Sequence, residues 1–157
     1  MTRAVHAART LKRRQGVSEA IINRHYEGLR AGELHAHRCV RCHRVTFPMT
    51  GECDECGSFD YEEVTLRPHG VLVSVAHGGA PPPHPRFRRT TPYVYGQVRL
   101  DDGVLAEAII RGVEADPAAV ARLGAALPAP VVLDFVESEG LPIMAFRLAE
   151  VGTSHAP

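Results

Sequence analysis

Five segments rich in apolar residues are predicted to be β-strands, for which a period of two residues is typical. The clearest segment is 70–77, Gly-Val-Leu-Val-Ser-Val-Ala-His. The other predicted strands are 93–100, 104–111, 130–137 and 142–148. Asp116 followed by Pro117 predicts the start of a short helix over 117–124. Five strands with a helix between the third and the fourth have the element order of an OB-fold barrel.

Before these strands the apolar period is that of a helix. Ile22, Tyr26 and Leu29 stand at positions i, i+4 and i+7, which predicts one apolar stripe on a helix over 18–31. Ser18 is the expected N-cap, and Gly32 is the expected stop. Residues 1–17 are basic and lack a period, so we expect a flexible tail there, and 151–157 form a second tail.

All four cysteines of the chain lie in one short segment. Cys39, Cys42, Cys53 and Cys56 form a C-x2-C-x10-C-x2-C pattern. This spacing favours a tetrahedral zinc site of four thiolates, because each C-x-x-C turn directs two sulfurs at one metal. Four protein ligands leave no open coordination position, so we expect one structural zinc ion per chain rather than a catalytic one.

Two other interpretations of these cysteines are weaker. Residues 39–43 read C-x-x-C-H, the attachment pattern of haem c. That interpretation needs export and leaves Cys53 and Cys56 without a role. A redox dithiol is disfavoured because neither C-x-x-C opens a helix after a strand.

Together these patterns predict a mainly β protein with five successive parts. We expect a tail at 1–17, an N-terminal helix at 18–36, a zinc ribbon at 37–62, an OB-fold barrel at 63–150 and a tail at 151–157. Within the ribbon, Phe47 and Phe59 are the expected apolar plugs.

Composition and charge narrow the function classes. The chain has 157 residues, of which 45% are apolar and 23% charged, a globular composition rather than a disordered one. No apolar run has the length of a membrane span and no signal-peptide core is evident, so we expect a cytoplasmic protein. The net charge is zero, but residues 1–45 hold ten basic and three acidic side chains, and the remainder is acidic.

The order of helix, four-cysteine ribbon and barrel resembles a family of OB-fold proteins with a rubredoxin-like zinc ribbon that associate with acyl-CoA enzymes. The resemblance covers residues 18–148. The matching segments are 26–34, Arg38-Cys39, Cys42, Phe47-Pro48, Cys53, Cys56-Gly57-Ser58, 70–74, Pro92-Tyr93-Val94 and 98–103. The basic N-terminal segment and the run Pro81-Pro82-Pro83 depart from the usual pattern of that family.

The resemblance implies a non-catalytic accessory subunit of an acyl-CoA-processing complex. Its partner would be a thiolase-like enzyme, an acyltransferase or an acyl-CoA aldolase, which the subunit stabilises while helping to bind or channel the CoA thioester. The sequence agrees on one point, since it contains no G-x-S-x-G, H-E-x-x-H, P-loop or G-x-G-x-x-G motif. With four cysteines assigned to zinc, no thiol remains for acyl transfer.

Candidate CoA or partner contacts lie in a basic loop and on the second strand of the barrel. They are His84, Arg86, Phe87, Arg88, Arg89, Tyr93, Tyr95 and Arg99. The loop cations suit the phosphates of CoA. Alternation along the strand places Val94, Val98 and Leu100 inside the barrel and the tyrosines outside. The same outer face supports an alternative function, single-stranded nucleic-acid binding, which the acidic barrel segment disfavours.

Overall fold

A computed structural model describes residues 19–78, 92–138 and 140–149. The chain divides into two compact units, Met1–Leu66 and Arg67–Pro157. Both predicted tails, Ser18 and the basic loop with its cluster at 84–89 lie outside the described residues. The predicted fold class is confirmed: the structure is mainly β, with an N-terminal helix, a four-cysteine cluster and a closed five-stranded barrel.

The first unit contains one helix and a small antiparallel sheet. The helix α1 spans residues 19–31 and ends at Gly32, whose φ of 76° is the left-handed conformation expected at a helix stop. The strands are β1 (Leu34–Cys39), β2 (Val45–Thr46) and β3 (Tyr61–Leu66), in the order β2-β1-β3. Its apolar core is formed by the buried side chains of Leu29, Leu34, Ala36, Met49 and Leu66.

Strands β1 and β3 differ from the boundaries expected from sequence. β1 begins at Leu34, inside the segment 18–36 that was assigned to the helix. β3 pairs with β1 along all six residues, from Leu34 opposite Leu66 to Cys39 opposite Tyr61. Residues 63–66 therefore belong to the sheet of the first unit.

The prediction that Phe59 is an apolar plug is wrong, because its side chain is 61% exposed. Its neighbour Ser58 is buried instead, and the Ser58 hydroxyl accepts a hydrogen bond from the Asp60 N–H. Successive side chains of an extended segment point in opposite directions. Burial of Ser58 therefore turns Phe59 outward.

The two C-x-x-C segments follow the same backbone path, and each is termed a knuckle here. In each knuckle the first cysteine donates its N–H to a carbonyl five residues later and accepts an N–H from the residue four later. The bonds are Cys39 to Arg44 (2.9 Å), Cys53 to Ser58 (2.8 Å), His43 to Cys39 (2.9 Å) and Gly57 to Cys53 (2.9 Å). His43 and Gly57 occupy equivalent positions, with φ of 60° and 66°.

The second unit is a closed barrel. Its elements are β4 (His69–Gly78), β5 (Tyr93–Leu100), β6 (Leu105–Arg111), α2 (Pro117–Ala125), β7 (Ala129–Ser138) and β8 (Leu141–Leu148). The strand order is β4-β5-β6-β8-β7, and β4 and β7 close the barrel. Only the β6–β8 pair is parallel among the described strands. This is the predicted OB order, with the helix between the third and fourth strands.

Local signals in the barrel behave as predicted. The Asp116 carboxylate caps α2 by accepting the N–H groups of Ala118 at 2.9 Å and Ala119 at 3.0 Å. Val94, Val98 and Leu100 are buried, as their alternation predicted. Gly103, in the turn between β5 and β6, has a φ of 82°. The strand boundaries predicted from sequence therefore agree with those of the structure to within one residue.

Within the described part of the chain, neither helix is both long and apolar enough to traverse a lipid bilayer.

The knuckles provide a test of backbone strain. Gly57→Val should lower the free energy of unfolding by about 1–2 kcal/mol or more, because a β-branched residue strongly disfavours positive φ. His43→Gly relieves the same strain in the first knuckle and should raise stability by up to about 1 kcal/mol. Equilibrium unfolding in denaturant measures both variants. Unchanged stability of Gly57→Val would show that this backbone conformation is not required.

Candidate metal centre

The two knuckles bring the four cysteine sulfurs into one cluster. All four Sγ atoms lie within 4.8 Å of one another. The Cys39 and Cys56 sulfurs are 3.6 Å apart, and those of Cys42 and Cys53 are 3.5 Å apart. All four are free cysteines, and each knuckle contributes one buried and one exposed member. The cluster can bind a metal ion, as the spacing predicted.

Hydrogen bonds and sulfur contacts shift the pKa values of two of these thiols in opposite directions. The Cys42 backbone N–H, directed at Cys39 Sγ, lowers the pKa of Cys39 to about 6. At Cys42 the Arg44 N–H acts to lower the pKa, but desolvation and contacts with neighbouring thiols outweigh it and raise the pKa to about 12. A thiolate thus forms readily at Cys39, whereas formation of a second thiolate beside it, at Cys42, is disfavoured. A bound cation would favour deprotonation of both.

Strand β1 presents three polar side chains on the face that leads to the cluster. His35, His37 and Cys39 alternate along the strand and are all buried. His37 Nδ1 lies 2.9 Å from the Thr50 carbonyl oxygen, and the His37 ring stacks on Tyr61 with centroids 3.7 Å apart. Desolvation lowers the pKa of His37, which favours the neutral ring. These contacts hold the backbone on which Cys39 is placed.

Sequence analysis did not identify His37 or Tyr61 as neighbours of the cluster. They line a small cleft together with Cys39, Thr46, Glu52 and Cys53. The alternation of His35, His37 and Cys39 is the signal that could have found His37. Tyr61 is brought opposite Cys39 only by the pairing of β1 with β3, which the local sequence does not predict.

A second polar group connects α1 to the sheet. His35 Nε2 lies 3.2 Å from a Glu33 carboxylate oxygen, and His35 Nδ1 lies 3.3 Å from Glu63. Arg24 on α1 forms an ion pair of 2.6 Å with the same Glu63 oxygen. The Arg24 hydrogen bond lowers the pKa of Glu63. The group joins α1 to β1 and β3, so we assign it a structural role.

Three of the predicted contact residues share the outer face of β5. Tyr93 and Tyr95 are half-buried with ring centroids 6.0 Å apart, and Arg99 is exposed. The Tyr93 ring covers Gly78, where an added Cβ would lie 2.7 Å from the ring. Gln97 on the same face is paired in register with Glu107. The face is therefore a packed mixture of rings and charges, and the described residues do not form a continuous basic track along it.

The five loop residues His84, Arg86, Phe87, Arg88 and Arg89 lie outside the described residues. Their proposed contact with CoA or with a partner remains a prediction.

The chain was compared with protein families, curated proteins and solved structures. No family model matches the chain. A curated protein of Thermomonospora curvata, named probable enoyl-CoA hydratase alpha subunit, is 32% identical over 127 residues. The match covers 79% of this chain and 36% of that protein, so the chain spans about a third of its relative.

Solved structures also resemble the chain. A DUF35-family protein of unknown function from Sulfolobus solfataricus is 12% identical, with a TM-score of 0.49, over 82% of this chain and 85% of its own. A structure described as an Ltp2–ChsH2(DUF35) aldolase is 30% identical, with a TM-score of 0.60, over 79% of this chain and 91% of the matched chain. Because this identity extends over nearly all of the matched chain, the protein belongs to the DUF35 family.

Proposed function

We propose that the four cysteines bind one structural zinc ion per chain. In a tetrahedron with Zn–S bonds of about 2.3 Å, neighbouring sulfurs are ~3.8 Å apart. The Sγ separations of 3.5 and 3.6 Å fit that geometry. Thiolate ligands favour zinc over hard cations. Cys39, Cys42, Cys53 and Cys56 would fill the coordination shell, which gives the metal a role in folding rather than in catalysis.

We further propose that the protein is an accessory subunit of an acyl-CoA-processing enzyme complex. The observation that carries this proposal is the 30% identity to a chain described within an Ltp2–ChsH2(DUF35) aldolase. The acyl-CoA part of the proposal is supported by the name of the Thermomonospora curvata relative, a probable enoyl-CoA hydratase alpha subunit. A thiolase-fold or aldolase subunit would supply the catalytic groups.

The two units would have different roles in this complex. The zinc ion would hold the knuckles of the first unit, whose apolar core is small. The barrel would provide the partner surface, with the loop cations at 84–89 and the outer face of β5 near the CoA thioester. CoA carries phosphates, and guanidinium groups bind phosphate with two parallel hydrogen bonds.

Zinc content tests the first proposal. Cys53→Ser should lose the metal and unfold the first unit, because metal binding contributes on the order of 10 kcal/mol in isolated zinc-binding peptides. Elemental analysis and thermal unfolding, with and without a chelator, measure the effect. Glu55→Gln is the matched control, since it changes an exposed residue of the same knuckle. Wild-type protein without zinc, or with a haem absorption band, would contradict the assignment.

Isolation of the native complex tests the second proposal. The tagged chain should co-purify with a thiolase-fold or aldolase subunit. The pure zinc-loaded chain should show no thiolysis, hydrolysis or acyl transfer, whereas the complex should turn over an acyl-CoA. Turnover by the pure chain would contradict the accessory role. Recovery of nucleic acid bound in a salt-sensitive manner, without an enzyme subunit, would favour the alternative function.

A further inference from the structure

Strands β7 and β8 extend beyond the barrel. β4 pairs with β7 only at residues 129–132, and β6 pairs with β8 only at residues 145–147. β7 and β8 continue to pair with each other as far as Ser138 and Leu141. The segments 134–138 and 141–144 are termed the arm here. Neither of its outer edges has a strand partner among the residues that the structure describes.

Both faces of the arm carry apolar side chains. Phe135 lies opposite Met144 on one face, and Val136 lies opposite Ile143 on the other. The side chains of Phe135 and Leu141 are 43% and 42% exposed. A two-stranded ribbon is marginally stable in water without packing on another surface. Exposed apolar groups on such a ribbon are typical of a contact with another protein.

The base of the arm is held by one ion pair. Arg111 on β6 donates to an Asp134 carboxylate oxygen at 2.9 Å and to the Phe135 carbonyl oxygen at 3.2 Å. The Phe135 N–H donates to the other oxygen of Asp134 at 2.8 Å. Arg111 therefore fixes the direction in which the arm leaves the barrel. A fixed arm loses little conformational entropy when it binds.

The charge of the arm indicates the kind of surface that it binds. Residues 134–144 contain three carboxylates, at Asp134, Glu137 and Glu139, and no lysine or arginine. Asp134 is neutralised by Arg111, and Glu137 is exposed. A second copy would oppose one acidic arm to another, and an anionic lipid surface would repel it. A protein cleft with apolar walls and basic side chains at its rim complements both properties.

We infer that the arm inserts into such a cleft on the enzyme subunit of the proposed complex. This inference rests on the accessory function proposed above and adds to it the surface through which the chain binds. Phe135 and Leu141 lie on opposite faces of the arm and would contact the two apolar walls of the cleft, and Glu137 would meet the basic rim. Apolar contacts of this kind set the dissociation rate, whereas rim charges set the association rate and its salt dependence.

The apolar part of the inference is tested with the double variant Phe135→Ser/Leu141→Ser. In titration calorimetry against the purified enzyme subunit from the native complex, its Kd should rise at least tenfold. Ile22→Ser is the matched control, because Ile22 is a 53% exposed apolar residue of the first unit, and its Kd should stay within twofold. Zinc content and circular dichroism of each variant verify folding.

The charge part is tested independently with Glu137→Lys, which leaves the apolar residues in place. Its association rate should fall at least threefold at low salt, while Glu114→Lys, at an exposed carboxylate between β6 and α2, should change it less. An unchanged Kd for the double variant, or faster association of Glu137→Lys, would overturn the inference while leaving the accessory function intact. Loss of self-association in place of enzyme binding would assign the arm to a homodimer contact instead. Failure of the wild-type chain to bind the enzyme subunit would overturn the accessory function itself.

Discussion

Four sulfur atoms within 4.8 Å of one another constrain the first unit more than any other contact. The opposed pKa shifts of Cys39 and Cys42 show the conflict, since a charge formed on one sulfur disfavours a charge on the next. A divalent cation removes this conflict because it favours every thiolate at once. The unit has few buried apolar residues, so a metal held by both knuckles would stabilise it where packing alone is insufficient.

The sequence predicts the barrel better than the small sheet, and the reason is physical. β5 and β6 each have one face in the core, so their residues alternate visibly, Gly103 marks the turn between them, and Asp116 marks the cap of α2. β1 reads Leu-His-Ala-His-Arg-Cys and is buried on both faces, with histidines where apolar residues are expected. β3 begins with three exposed residues and exists because it pairs with β1. Neither pattern contains the local signal of a strand.

The site shows the same division between local and long-range information. The four cysteines of the cluster can be predicted from sequence because the C-x-x-C spacing determines the geometry of the knuckle. Tyr61 reaches the cluster only through the β1–β3 register. The exposure of Phe59 depends on which of two neighbouring residues the knuckle buries. Local sequence does not predict the arm either, because apolar residues continue along β7 and β8 from the barrel into the arm.

The string Cys-Val-Arg-Cys-His illustrates how geometry decides between interpretations of a motif. A haem interpretation makes His43 a ligand, but His43 occupies the position that Gly57 holds in the second knuckle. Both residues have a positive φ, and both donate an N–H to the first cysteine of their knuckle at 2.9 Å. The second knuckle has no histidine and follows the same path. The backbone of the knuckle, and not the imidazole ring, therefore accounts for the conformation at this position. His43 matches the haem motif in sequence, but its conformation does not depend on haem binding.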